Sequence, residues 1–249
     1  MKNKTTFLLD FDGTLTSKHI RGKFVPSVIS ILREENHLDQ DYVDRATLLS
    51  EKYHPIETDP SLSKEIKTEA MQEWWEKHLD LLIEKKLNKS HLKSAISSDL
   101  IQLRKGVKEF FREASNNKNK IVILSASGLG GETIELLLEK ENIRTDNIHI
   151  ISNILVWNEN DIMISYEKPL IHTFNKYNFF SEEEVDGKVV IVGDNLADAE
   201  MLPRNVNNNI KRIGIYDNKD NAHLEEYKKI FDEVWAGDDI DFNKLIKLL

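Results

Sequence analysis

Two carboxylates, Asp10 and Asp12, close a short apolar run in Phe7-Leu8-Leu9-Asp10-Phe11-Asp12-Gly13-Thr14-Leu15-Thr16. A carboxylate can attack a phosphoryl group, and a second acid beside it can protonate the departing oxygen. The alternation lets Phe11 turn into a core while both acids turn elsewhere, and Gly13 permits a sharp bend after them. One aspartate at a strand end is commonly only a turn residue. The whole string makes Asp10 a candidate nucleophile and Asp12 a candidate acid–base.

Three further features stand just past apolar runs or near a helix start. Ser125 follows Ile121-Val122-Ile123-Leu124 and opens Ala126-Ser127-Gly128-Leu129-Gly130-Gly131. A hydroxyl and free amides at a helix N-terminus suit phosphate oxygens. The glycine spacing is not that of a dinucleotide-binding loop. Asp194 and Asp198 follow Val189-Val190-Ile191-Val192 within Gly193-Asp194-Asn195-Leu196-Ala197-Asp198. Their hard oxygens suit Mg²⁺, with Asp194 the first ligand and Asp198 a ligand or a partner of one. A phosphate site also needs a cation, and Lys168 and Lys176 compete for that place. Eight helical residues rise about 12 Å, so both would not reach one phosphate.

These side chains need a scaffold that brings strand ends together. Residues 6–10, 121–124, 149–151, 189–192, 212–216 and 233–235 read as strands. Helices are expected near 107–117, 131–141 and 170–179 and from 241, and a short hairpin in 154–166. Such alternation predicts an α/β fold with a parallel, Rossmann-like sheet covered on both faces, and ligands at the strands' carboxyl ends. From about 26 to 104 the pattern is helical throughout. Pro26 can open the first helix. A second stretch spans 41–53, and Pro55 and Asp59-Pro60 are expected to break the chain. Residues 63–86 form one long amphipathic helix with Ile66, Ala70, Trp74, His78 and Leu81 on one face. Ser90 is the expected N-cap of the next. The chain therefore divides into a core, 1–20 with 105–249, and an inserted α-helical cap, 21–104.

Bulk chemistry limits the partners. Lys and Arg total 34 against 43 Asp and Glu, a net charge of −9, which disfavours a protein that tracks a nucleic-acid backbone. An anionic substrate must then be met by a local positive field. Cysteine is absent, which excludes thiol nucleophiles and zinc–thiolate sites. The N-terminus lacks the apolar stretch of a signal peptide, and no segment has the length to cross a bilayer. A cytoplasmic monomer acting on a small molecule is the expectation.

The ordered set Asp10, Asp12, Ser125, a later lysine, Asp194 and Asp198 resembles the haloacid dehalogenase superfamily. Within it the chain is similar to the cytosolic 5′-nucleotidase III (pyrimidine 5′-nucleotidase) family. The likeness rests on Tyr53-His54-Pro55-Ile56-Glu57-Thr58-Asp59-Pro60, Met71-Gln72-Glu73-Trp74, Leu124-Ser125-Ala126-Ser127-Gly128, Ile151-Ser152-Asn153 and Leu170-Ile171-His172-Thr173-Phe174-Asn175-Lys176. The resemblance implies that Lys176 is the phosphate-binding lysine. It implies that Glu57 lies by the nucleoside and that Ser125 and Ala126 line the substrate site. Asp10, Asp194 and the Asp12 backbone carbonyl would hold Mg²⁺. Gly13 stands where this family often has methionine, and His78 stands where a substrate-contacting serine is expected. Trp74, Trp75 and His78 can equally be packing residues, and Glu57 an exposed turn residue.

The implied activity is Mg²⁺-dependent hydrolysis of a nucleoside 5′-monophosphate through an aspartyl phosphate. Alternatives are a phosphatase for phosphoserine, a sugar phosphate or another small monoester, a nucleoside phosphotransferase, and a non-catalytic phosphate-binding protein.

Overall fold

The computed structural model describes residues 4–25, 27–143, 146–180, 185, 187–202, 209–217, 223–237 and 240–249. The helix opening expected at Pro26 lies outside them. In chain order the elements are β1 (Thr5–Leu9), β2 (His19–Ile20), β3 (Lys23–Phe24), α1 (Val28–Glu34), α2 (Gln40–Thr58), α3 (Lys64–Glu84), α4 (Lys89–Ser97), α5 (Val107–Asn116), β4 (Lys120–Leu124), α6 (Gly130–Lys140), β5 (Ile148–Ile151), β6 (Leu155–Trp157), β7 (Met163–Tyr166), β8 (Lys188–Gly193), β9 (Ile210–Tyr216), α7 (Leu224–Ile230), β10 (Glu233–Ala236) and α8 (Asn243–Ile246).

Six strands form one parallel sheet in the order β10-β9-β8-β1-β4-β5. β1 lies at its centre, and Leu9 pairs with both Ile123 and Val192, so three strands end almost level. Apolar runs form these strands because both faces are buried, and successive side chains alternate between the faces. Phe7, Leu9, Ile121, Ile123, Val190 and Val192 join the larger apolar cluster with Phe110 of α5, Ile134 of α6 and Leu245 of α8. Leu8, Val122, Leu124, Val189 and Ile191 join a second cluster with Ile171, Phe180, Met201 and Leu202. Ile171 and Phe180 reach this face from an irregular segment rather than from the helix expected at 170–179, and α7 packs at its β9 edge, where Tyr227 meets Tyr216 and Phe231 meets Gly214.

That expected helix is a loop ending in one 3-10 turn, Lys176–Asn178. Asparagine side chains take the main-chain groups that a helix would use. Asn153 accepts from the Ile171 N–H at 2.8 Å and donates to the Ile171 carbonyl at 3.0 Å. Asn175 accepts from the His172 N–H and donates to the Leu170 carbonyl, each at 2.8 Å.

Between β1 and β4 the chain makes the small β2–β3 hairpin, not anticipated from sequence, and the five helices α1 to α5. α2 is capped by Asp39, whose carboxylate accepts from Tyr42 N–H at 2.7 Å. It runs through Pro55 to Thr58, contrary to the expected break. Pro55 sits in the last turn, where its missing N–H removes a single hydrogen bond. α4 is capped by Asn88 in a capping box, not by Ser90, whose own N–H donates to Asn88 Oδ1 at 3.0 Å. The segments leaving and rejoining the sheet lie side by side: Thr16 and Leu103 form an antiparallel bridge, and Ser17 N–H donates to the Gln102 carbonyl at 3.0 Å. Among the described residues, no helix is long and apolar enough to cross a membrane.

Candidate active site

The level strand ends gather the acids. Asp10 follows β1, Ser125 follows β4, and Asp194 follows β8. Carboxylate oxygens of Asp10, Asp194 and Asp198 all lie within 4.8 Å of one another. Asp198 sits on the 3-10 turn Leu196–Glu200 and is fully buried. It is held by the Asn195 N–H at 2.9 Å, and only a glycine fits at position 193, where a Cβ would overlap the Asp198 side chain.

Lys176 is buried at this cluster. Its Nζ lies 2.5 Å from Asp10 Oδ1 and 2.8 Å from Asp198 Oδ1. Lys168 is elsewhere, paired at 2.7 Å with Glu76 on the exposed side of α3. Of the two candidate lysines it is Lys176 that lies at the acid cluster, on a loop shaped by the Asn153 and Asn175 contacts. Asn153 also donates to the Ser127 carbonyl at 3.2 Å, which ties that loop to the segment after β4.

Thr14 Oγ1 lies 3.0 Å from Asp194 Oδ1 and 3.3 Å from Asp10 Oδ2. Lys18, which no sequence feature singled out, pairs with Asp194 Oδ2. Gly13, at φ +78°, leaves room for this pair: a Cβ there would overlap Lys18 Cε and stand 2.8 Å from Asp194 Oδ2. Tyr227 of α7 donates to the Asp194 carbonyl at 2.6 Å.

Burial sets the electrostatics. It raises Asp10 well above the ordinary carboxylate range, with Lys176 opposing the shift. It raises Asp12 to about 7 despite a 3.0 Å hydrogen bond from Val28 N–H at the start of α1. Asp194 is also buried, but the Lys18 ammonium, helped by Asp10 and Lys176, outweighs that and holds its carboxyl below the usual value. Lys176 is likewise buried, yet Asp10 and Asp198 hold it above the usual lysine range. Burial thus disfavours the charged forms of Asp10, Asp12 and Asp198, while Asp194 is held ionised.

The remaining candidates fall into two groups. Ser125 is buried after β4, with its Oγ accepting from Ser127 N–H at 3.1 Å, and Ala126 packs on the second apolar cluster. Glu57, near the end of α2, reaches the lysine loop: its Oε1 accepts from Thr173 Oγ1 at 2.7 Å. Burial would raise Glu57, but hydrogen bonds from His54 and Thr173 keep it low, so it is an anion rather than a free turn residue. His78 is not brought to the acids. It is buried in α3, with Nε2 3.2 Å from the Tyr42 hydroxyl and its ring 6.1 Å from Trp75. Tyr53, Trp74, Trp75 and His78 form a run of near-parallel rings. Trp75 meets the segment after β4 at Gly128, where a Cβ would overlap its indole.

A parallel sheet with a central acid-bearing strand, a buried lysine and a helical insertion after the first strand defines a haloacid dehalogenase-like phosphatase fold. Solved structures agree: phosphoserine phosphatase with a phospho-aspartyl intermediate analogue superposes with a TM-score of 0.60 over all of both chains at 16% identity, a likeness of fold. The structure of cytosolic 5′-nucleotidase IIIB bound to cytidine superposes with a TM-score of 0.80 at 25% identity, covering 98% of this chain and 85% of that one. The pyrimidine 5′-nucleotidase (UMPH-1) family model matches residues 13–247. The 7-methylguanosine phosphate-specific 5′-nucleotidase of Homo sapiens is 31% identical over 238 residues, 92% of this chain and 79% of the relative. The chain belongs to the pyrimidine 5′-nucleotidase family, and it is a 5′-nucleotidase, a phosphoric monoester hydrolase.

Proposed function

We propose that this chain hydrolyses nucleoside 5′-monophosphates, pyrimidine nucleotides among them, through an aspartyl phosphate on Asp10. The observation that carries the reading is the cluster in which Lys176 bridges Asp10 and Asp198 beside Asp194 at the level ends of β1 and β8. Three close carboxylates form a hard donor set that fits Mg²⁺. Asp10, Asp194 and the Asp12 carbonyl would hold the ion, with Asp198 a further ligand or the anchor of Lys176. When bound, the ion supplies positive charge against the phosphate and favours ionised Asp10.

The residues then divide the chemistry. Lys176, Ser125 and the amides around Ala126 bind and orient the phosphate. An Asp10 oxygen forms a bond to phosphorus as the bond to the 5′ oxygen breaks. Asp12, protonated near neutrality through burial, gives its proton to that oxygen. Water then attacks the aspartyl phosphate and yields its proton to Asp12, which releases phosphate and restores Asp10.

Residues 21–104 act as the cap over a core of 1–20 and 105–249. Glu57 faces the nucleoside. His78, stacked behind Trp75, sets the wall beside it rather than the phosphate site. The protein works in the cytoplasm as a monomer, in keeping with the word cytosolic in the name of the similar structure.

Asp10→Asn should remove phosphate release, by at least about 10³-fold, while leaving the circular dichroism spectrum unchanged. Near wild-type turnover would show that Asp10 is not the nucleophile. A Mg²⁺-dependent screen over CMP, UMP, purine monophosphates, phosphoserine and sugar phosphates tests the substrate class. Preference for a non-nucleotide would remove the nucleotide reading and leave the phosphatase.

A further inference from the structure

Arg104 stands where the helical insertion rejoins the sheet, and its side chain is buried. Its guanidinium makes three contacts in one direction. Nε donates to the Thr14 carbonyl at 3.0 Å, and one terminal nitrogen donates to the Gly13 carbonyl at 2.7 Å and to Asp217 Oδ2 at 2.5 Å. Its own N–H donates to the Leu15 carbonyl at 2.8 Å. Every one of these acceptors except Asp217 belongs to the turn that follows Asp10 and Asp12.

From outside, that turn is also reached through side chains, by Val28 N–H at Asp12 and by Asp194 at Thr14 Oγ1, while its backbone is held largely from within. The N–H groups of Thr14, Leu15 and Thr16 all approach the Phe11 carbonyl, at 3.2, 2.9 and 3.2 Å, and Gly13 N–H donates to Thr16 Oγ1 at 3.0 Å. The carbonyls of Gly13 and Thr14 take part in none of these bonds. Arg104 satisfies both, and Asp217, itself buried at the end of β9, neutralises it. A buried ion pair is a poor source of net stability, because the desolvation of both charges offsets their attraction. Its planar fork, however, fixes direction in a way an ammonium cannot.

We infer that Arg104, held by Asp217, is a positioning residue for the hydrolytic reaction: by gripping the Gly13 and Thr14 carbonyls it sets the Asp10–Thr14 turn in the geometry from which Asp10 attacks and Asp12 transfers its proton. Arg104 does not touch the substrate. The inference rests on the roles proposed above for Asp10 and Asp12. A misplacement of reacting groups by about 1 Å can cost on the order of 100-fold in rate, so a loose turn registers in turnover before it registers in binding.

The test uses the full chain with its preferred nucleotide and saturating Mg²⁺. Arg104→Lys keeps the charge but loses the fork, and Asp217→Asn keeps the shape but loses the countercharge. Both should lower kcat by about 10- to 100-fold with KM within about threefold of wild type. Arg104→Ala should regain turnover in millimolar guanidinium and not in equal ammonium. Wild-type kcat in folded Arg104→Lys would overturn the inference while Asp10→Asn inactivity left the mechanism standing. Turnover in Asp10→Asn would overturn the mechanism and the positioning role together. Failure of every Arg104 and Asp217 variant to fold would also overturn it, since the guanidinium would then serve the fold rather than the turn.

Discussion

Lys18 shows how charge within the site is balanced by a residue that carries no motif. Its pairing with Asp194 raises the lysine to about 12 and lowers the carboxyl, so each partner favours the charged form of the other. Removing the ammonium leaves three clustered carboxylates facing Lys176 alone. Lys18→Met should therefore melt lower than wild type in EDTA, by on the order of 5 °C, and the gap should narrow in Mg²⁺. Equal melting of the two proteins in EDTA would show that Lys18 does not hold the empty cluster together. At this scale the sequence was informative where an acid closes an apolar run, as at Asp10 and Asp194. It was uninformative at Lys18, Arg104 and Asp217, which look like ordinary charged residues until the chain folds and brings them in from distant positions.

At the scale of elements, the α2–α3 pair carries a pH dependence of its own. Burial lowers His78 to about 4, so the folded protein keeps this imidazole neutral. The unfolded chain gains a proton near pH 6.5, which the folded one does not. Stability from this group is thus fully present above about 6.5 and is lost as pH falls toward about 4, at most about 3 kcal/mol in all. His172, also lowered to about 4 by burial, acts in the same window. His78→Gln should lose less stability between pH 7.5 and 5 than wild type does in urea titrations. An unchanged loss would assign the effect to other groups. The elements themselves were legible where periodicity ran long, as in α3 and the central strands. The segment 170–179 misled because its apolar spacing resembles a helix while Asn153 and Asn175 claim its backbone. The β2–β3 hairpin has two-residue strands, too short for any periodicity.

For the molecule as a whole, the insertion is not a loosely hung module. Val28 and Ile29 of α1 and Leu92 and Ile96 of α4 belong to the same buried cluster as Phe7 and Ile121 of the sheet. Lys140 of α6 donates to the Ile96 carbonyl at 2.6 Å, binding α4 to the sheet's own helix. Shared burial of this kind couples unfolding. Calorimetry of the apoprotein should show a single transition, and two resolved transitions would mean that 21–104 melts independently of the sheet. The expected division into core and insertion rests on the change of periodicity along the chain alone. The continuity of the apolar interior across that division could not be read in advance, because it depends on which helix faces meet.

Gly13 also limits how this active site can change. A side chain at 13 would meet both Lys18 Cε and the Asp194 carboxylate, on a backbone held at φ +78°. Loss of Lys18 removes one obstacle and leaves the other two. A lineage that exchanges Gly13 for a larger residue must therefore reshape the turn itself, and a change at 18 alone does not open that path.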